Sequence, residues 1–366
     1  MWDLAVREAD FVAADSMLRR YHGTAPLSMR ALSAFARRDS GPTRQLFEEA
    51  RSAENRQPQI AARFVAVYLE DLDQAERFAR LSLSPGRRAA LRAGAQHVLA
   101  WLAVAGGRWS AAKTEFAAAE RIEGLAPAAI VGRAMAATLP FLAVPVADLA
   151  TIRRDLEQWS ASAESSNAGA GLSQALAAHL RLYLLGLVRS VLGDYAGAAQ
   201  AADNLERLPA PAPARDAMRA LAQTVRADGA WRRGRFADGL ASLESIRSEI
   251  PLELVNVPLY ATVREYTLEH ARYLRATLLH QLGRETEALR WLETSFQGAP
   301  NEFAYLAPAH MLRGEISEAL NDRAKANEHY RRFIDLWKNC DPELRRTVQE
   351  AGKRLATRTP AARRGA

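Results

Sequence analysis

Seven histidines (His22, His97, His179, His270, His280, His310 and His329) and one cysteine, Cys340, are the side chains of this sequence best suited to bind a metal or attack a substrate. Their spacing does not serve either chemistry. No two histidines form a His-Glu-x-x-His or comparable ligand pattern. A lone cysteine excludes an internal disulfide and every multi-cysteine zinc or iron–sulfur site. No Gly-x-Ser-x-Gly elbow presents a nucleophile, and no glycine-rich loop is built to cradle phosphate. Glutamates and aspartates occur as ordinary helix charges. The sequence predicts no catalytic residue, no cofactor and no metal.

Recognition chemistry is better represented. His97 and Trp101, Thr224 and Asp228, and Tyr273 and Thr277 are each four residues apart, so each pair shares a helix face. Tyr183, Leu187, Trp231, His270, His280 and Glu315 extend the set. Aromatic rings beside polar tips make good contact surfaces for another protein.

The elements that carry these residues follow from an internal repeat. Gly107, Gly193, Gly234, Gly283 and Asn321 mark turns. Five residues after each come Ala112, Ala198, Gly239, Ala288 and Ala326; nine after come Phe116, Ala202, Leu243, Leu292 and Tyr330; twelve after come Ala119, Leu205, Ile246, Ser295 and Phe333. Seven before come Ala100, Gly186, Ala227, Ala276 and Gly314, all small. Offsets of three and four place the later positions on one face of a second helix. Small residues on both helices permit close antiparallel packing, and glycine or asparagine ends the first helix in a left-handed conformation. Fainter copies run through Ala9, Ala14, Leu18 and Tyr21, and through Glu70, Ala75, Ala79 and Ser82, whereas the stretch from Ser28 to Ala53 fits poorly.

The segment from Leu185-Gly186 through Gly193-Asp194-Tyr195 to Ala198 resembles the tetratricopeptide repeat. The turns are spaced more widely than in the standard repeat. The expected fold is all-α: an α-solenoid, a right-handed superhelix of tetratricopeptide-like helix pairs, in which each pair covers its neighbour's apolar face. The first helix of each pair in such repeats lines a concave groove. This predicts a partner-binding surface of His97, Trp101, Tyr183, Thr224, Asp228, Trp231, His270, Tyr273, Thr277, His280 and Glu315, although the same aromatics also suit packing between repeats. A peptide or partner helix is the expected occupant.

The expected organisation is an N-terminal lobe at 1–159, a linker rich in serine, alanine and glycine at 160–171, a C-terminal lobe at 172–357 and a frayed tail at 358–366. Leu139 to Pro145 reads as a turn bracketed by prolines, Pro209 to Pro213 as a stiff link, and Glu249 to Val263 as a long loop. Asp341-Pro342-Glu343 reads as the N-cap, first-turn proline and dipole-matched acid of a final helix reaching about Ala356. Trp2 and Leu4 enter a helix without a capping pair, so either the first pair is short or the sequence is the trailing part of a longer polypeptide, the latter being the favoured expectation.

The formal net charge is +7, and only Lys113, Lys325, Lys338 and Lys353 among 49 basic residues are lysines. The arginines are scattered and mixed with acids, which describes solvated helix faces better than a nucleic-acid groove. The most apolar run, Leu180 to Leu192, is broken by Arg181 and Arg189, so no membrane span is predicted. The expected setting is the cytoplasm.

Several stretches together resemble the C-terminal repeat region of bacterial serine/threonine protein kinases, with related arrays in large bacterial transcriptional activators. They are Ala13 to Leu18, Leu139 to Trp159, Leu182 to Tyr195, Tyr305 to Pro308, and His329 to Lys338 through Asp341 to Leu344. The resemblance implies a sensor or docking module and not a kinase, since the phosphate loop, the strand lysine, the catalytic aspartate and Asp-Phe-Gly are missing. An effector-binding arm of a transcriptional regulator is the alternative, and an enzyme with an unrecognised site is a third reading.

Overall fold

A computed structural model describes residues 5, 10–20, 25–38, 40–122, 126–159, 170–210, 214–246, 258–293 and 303–356. Among them the chain is all-helical and has no strand. In order come α1 (Phe11–Arg19), α2 (Leu27–Ala36), α3 (Ser40–Ser52), α4 (Gln57–Leu69), α5 (Leu72–Arg80), α6 (Ala89–Ala105), α7 (Trp109–Glu120), α8 (Ala126–Ala137), α9 (Val146–Gln158), α10 (Ala170–Val191), α11 (Tyr195–Arg207), α12 (Arg215–Arg232), α13 (Phe236–Glu244), α14 (Pro258–Gln281), α15 (Glu285–Glu293), α16 (Leu306–Ala319), α17 (Arg323–Leu336) and α18 (Arg345–Ala356). Helices adjacent in the chain pack as pairs, notably α4 with α5, α6 with α7, α10 with α11, α12 with α13 and α14 with α15. No helix of the described residues is long and apolar enough to cross a membrane.

The turn register is realised at the backbone. Gly107, Gly193, Gly234, Gly283 and Asn321 have φ of 68°, 80°, 72°, 73° and 62°. The amide that follows each reaches the carbonyl five residues back, as in Asp194 to Arg189 at 2.9 Å and Asp322 to Ser317 at 2.8 Å. These bonds satisfy carbonyls that the helix end would otherwise leave open. Glu70 and Arg38 adopt the same left-handed conformation, each with φ 55°. Arg38 therefore brings the poorly fitting stretch into register, with Ala31 seven before it and Ala50 twelve after, both fully buried. Arginine carries no preference for this conformation, so its type did not mark the turn.

Small residues set how closely the helices approach. A Cβ on Gly314 would lie 2.5 Å from Tyr330 Cε1, and one on Gly186 would lie 2.8 Å from Val225 Cγ1. Both glycines stand seven residues before their turn. The facing positions Ala112, Phe116, Ala202, Leu243, Ala288, Leu292, Ala326 and Tyr330 are buried.

A second register joins successive pairs. Arg226, Arg275 and Arg313 each stand eight residues before a turn. Arg275 donates to the Leu243 carbonyl and Arg313 to the Leu292 carbonyl, in the last turns of α13 and α15. Arg226 forms bonds to Asp203 at 2.8 Å and to Glu206 at 2.6 Å on α11. A guanidinium at the negative end of a helix satisfies open carbonyls and complements the dipole. Part of the arginine excess thus ties one pair to the next.

Two expectations change at particular residues. Pro258 opens α14, so helix occupies 258–263 where a loop was expected; proline at a first helical position loses no hydrogen bond. Asp341 does not cap the segment that follows it: 342–344 forms a 3₁₀ turn with no side-chain cap. The prolines of the Leu139 to Pro145 turn do separate two helices, and α9 begins directly after Pro145. The tail at 358–366, most of the 160–171 linker, Pro211 to Pro213, and Trp2 and Leu4 lie outside the described residues.

The chain forms two compact units, neither continuous in sequence. One comprises 1–129, 296–307 and 333–348; the other comprises 130–295, 308–332 and 349–366. In the first unit, Trp337 Nε1 donates to the Ala105 carbonyl at 2.9 Å and the Asp341 amide to the Gly107 carbonyl at 3.0 Å. The C-terminal segment of that unit thereby closes the end of α6.

Candidate functional site

The second unit holds a cleft of about 590 Å³ lined by Ser190, Val191, Tyr195, Trp231, Arg232, Gly234, Phe236 and Gln281. These residues come from the ends of α10, α12 and α14 and the starts of α11 and α13. The Gly193 and Gly234 turns place aromatic residues there, because each turn is followed within two residues by Tyr195 or Phe236.

Behind the cleft wall lies a buried polar cluster. Asp228 is wholly buried and accepts from Ser190 Oγ at 2.6 Å and from Arg232 Nε at 2.8 Å. His270 Nε2 stands 3.7 Å from its other oxygen. Burial pushes the Asp228 carboxyl up, but the Arg232 guanidinium and the His270 ring beside it outweigh that and hold the group below its ordinary range. Ser190, Asp228 and His270 do not form a nucleophilic triad. The hydroxyl donates directly to the carboxylate, so no imidazole occupies the general-base position beside it. The cluster instead fixes Arg232, whose guanidinium also lies 5.1 Å from the Trp231 ring centre. The result is a positioned cation beside the Trp231 ring in a cleft that Tyr195 and Phe236 also line, an arrangement suited to recognition.

A second group of the expected residues meets on α14 and α16. His280 Nδ1 lies 2.7 Å from Glu285 Oε2. Glu315 lies 3.5 Å from Arg354. Burial raises the Glu315 carboxyl, with the nearby Arg354 and His280 opposing the shift. The Tyr273 hydroxyl is pushed up by burial and by the charge of Glu315. Its ring meets Phe141 edge to face, with centres 5.5 Å apart.

The eleven expected surface residues therefore divide. Trp231, Tyr273, Thr277, His280, Glu315 and His97 are partly exposed. Trp101, Tyr183, Thr224, Asp228 and His270 are buried and cannot meet a partner on an open face, which corrects the expectation for these five. Trp101 donates to His97 Nε2 at 3.1 Å and packs edge to face on Phe116 of α7, so this pair belongs to the helix interface. Tyr183 and Leu187 are core residues of α10. Thr224 returns its hydroxyl to the Ala220 carbonyl of its own helix at 2.9 Å. Conversely, the sequence did not single out Tyr195, Arg232 and Phe236 as contact residues. Their signal was position, at most two residues from a turn glycine.

Among the described residues, no group of three or more His, Cys, Asp or Glu is arranged to hold a metal. No protein-family model matches the chain, and no curated protein matches it in sequence.

Proposed function

We propose that this chain is a non-catalytic protein-interaction module, an α-solenoid of tetratricopeptide-like helix pairs that accepts a peptide or partner helix. The observation that carries the reading is the cleft lined by Trp231, Tyr195, Phe236 and Arg232, with the Arg232 guanidinium beside the Trp231 ring. Rings and a guanidinium held by a buried carboxylate lose little conformational freedom on binding, which favours affinity. The occupant this chemistry fits is a segment presenting a carboxylate beside an apolar side chain. The sequence resemblance described above supports a place for the module as the regulatory repeat region of a bacterial serine/threonine kinase signalling protein in the cytoplasm.

Selection of peptides from a random library on the purified chain tests the reading. Enriched peptides should carry an acid beside an apolar residue, and Trp231→Ala should weaken them at least tenfold while leaving the helical circular dichroism intact. No enrichment, or binding indifferent to Trp231→Ala, would overturn it.

A further inference from the structure

His310 and His329 are 19 residues apart, and the Asn321 turn folds α16 against α17 so that they meet. Their Nδ1 atoms are 3.0 Å apart, with ring centres separated by 5.2 Å and planes inclined by 36°. The approach is enforced next door: Gly314, one turn after His310, has no room for a Cβ against Tyr330, the neighbour of His329. His310 is 3% exposed, which holds its ring in place, while His329 is partly open to solvent.

We propose that this pair is a two-histidine site for a borderline transition-metal dication such as Zn²⁺ or Cu²⁺. Imidazole nitrogen is a preferred donor for both ions. An ion bound at about 2.0–2.1 Å to each of two nitrogens sets them about 2.9–3.4 Å apart for donor angles of about 90–110°. The observed separation falls in that interval. As a hydrogen bond the same contact needs one nitrogen to carry the proton and the other a lone pair. An ion replaces that proton and accepts lone pairs from both rings. The described protein residues supply two donors only, so the remaining coordination positions go to water or to a ligand from a bound partner. The site is independent of the cleft proposed above.

Titration of the tag-free full chain with Zn²⁺, followed by calorimetry, tests the proposal. One ion should bind per chain, and Cu²⁺ at the same site should show coupling to two nitrogens in its electron paramagnetic resonance spectrum. His329→Ala, at the partly exposed position, should lose binding by at least tenfold with unchanged circular dichroism, and His310→Ala should do the same if it folds. His280→Ala should bind as the parent chain does. No uptake by the parent chain, full uptake by His329→Ala, or loss only in His280→Ala would overturn the assignment.

Discussion

Asp341 caps a helix through Ser110, 231 residues before it: its Oδ2 accepts the Ser110 amide at 3.0 Å and its Oδ1 accepts the Ser110 hydroxyl at 2.8 Å. Ser110 lies in the first turn of α7, whose preceding residue, Arg108, provides no side-chain cap. Asp341→Ala should destabilise the fold by about 1–2 kcal/mol, the cost of a lost N-cap. Ser110→Ala removes only the hydroxyl bond and should cost about 1 kcal/mol. Urea denaturation of both variants and the double variant would show coupling. Glu343→Ala, exposed two residues on, should stay within about 0.5 kcal/mol of the parent.

Gly314 and Gly352 are both helical glycines with opposite surroundings. A Cβ at Gly314 would stand 2.5 Å from the Tyr330 ring, whereas one at Gly352 meets nothing within 4 Å. Gly314→Ala should therefore cost about 1–3 kcal/mol through overpacking. Gly352→Ala should stabilise by about 0.5–1 kcal/mol through helix propensity. Melting temperatures should move in opposite directions.

Arg275 bonds the Leu243 carbonyl and lies 4.3 Å from the Trp291 ring centre. Arg275→Ala should cost about 1.5–3 kcal/mol, the range for a hydrogen bond to a charged group. Arg275→Lys should recover little, because an ammonium lacks the planar fork that serves both contacts. Chemical denaturation of the two variants measures the difference.

Acid should weaken the fold in two windows. Burial, reinforced by the charge of Arg63, lowers the His97 imidazole from 6.5 to about 4. Between those values the unfolded chain binds a proton that the folded chain refuses, so stability falls as pH drops through this range. His97→Asn, which keeps an acceptor for Trp101 without titrating, should flatten the fall in urea midpoint between pH 7 and pH 5.

The lowered carboxyl of Asp228 produces the second window. Its contribution is complete above the ordinary value of 3.8 and is lost as pH falls through its folded value. Asp228→Ala should abolish this loss and cost about 3–5 kcal/mol at neutral pH, the range for breaking a buried pair. Denaturation curves at pH 7 and below pH 4 check both.

The sequence by itself determined the helix pairs, their turns and the small-residue contacts. These depend on offsets of three to nine residues: a left-handed residue ends a helix wherever it stands, and Gly314 meets Tyr330 because both are counted from Asn321. The final helix was legible for the same reason, and so were the partly exposed Trp231, Tyr273 and Glu315 as members of first helices. Arg38 escaped notice because its conformation is imposed by the helices it joins.

Tertiary structure alone decided the rest. Whether an aromatic on a first helix faces solvent or a neighbouring helix depends on what covers it, and Phe116 of the paired helix covers Trp101. Asp341 sits where a cap for its own segment is expected, yet its carboxylate serves α7. The Ser190–Asp228–His270 cluster joins residues from three different helices. No periodicity along the chain relates such residues, because only the docking of one helix on another brings their side chains within bonding distance.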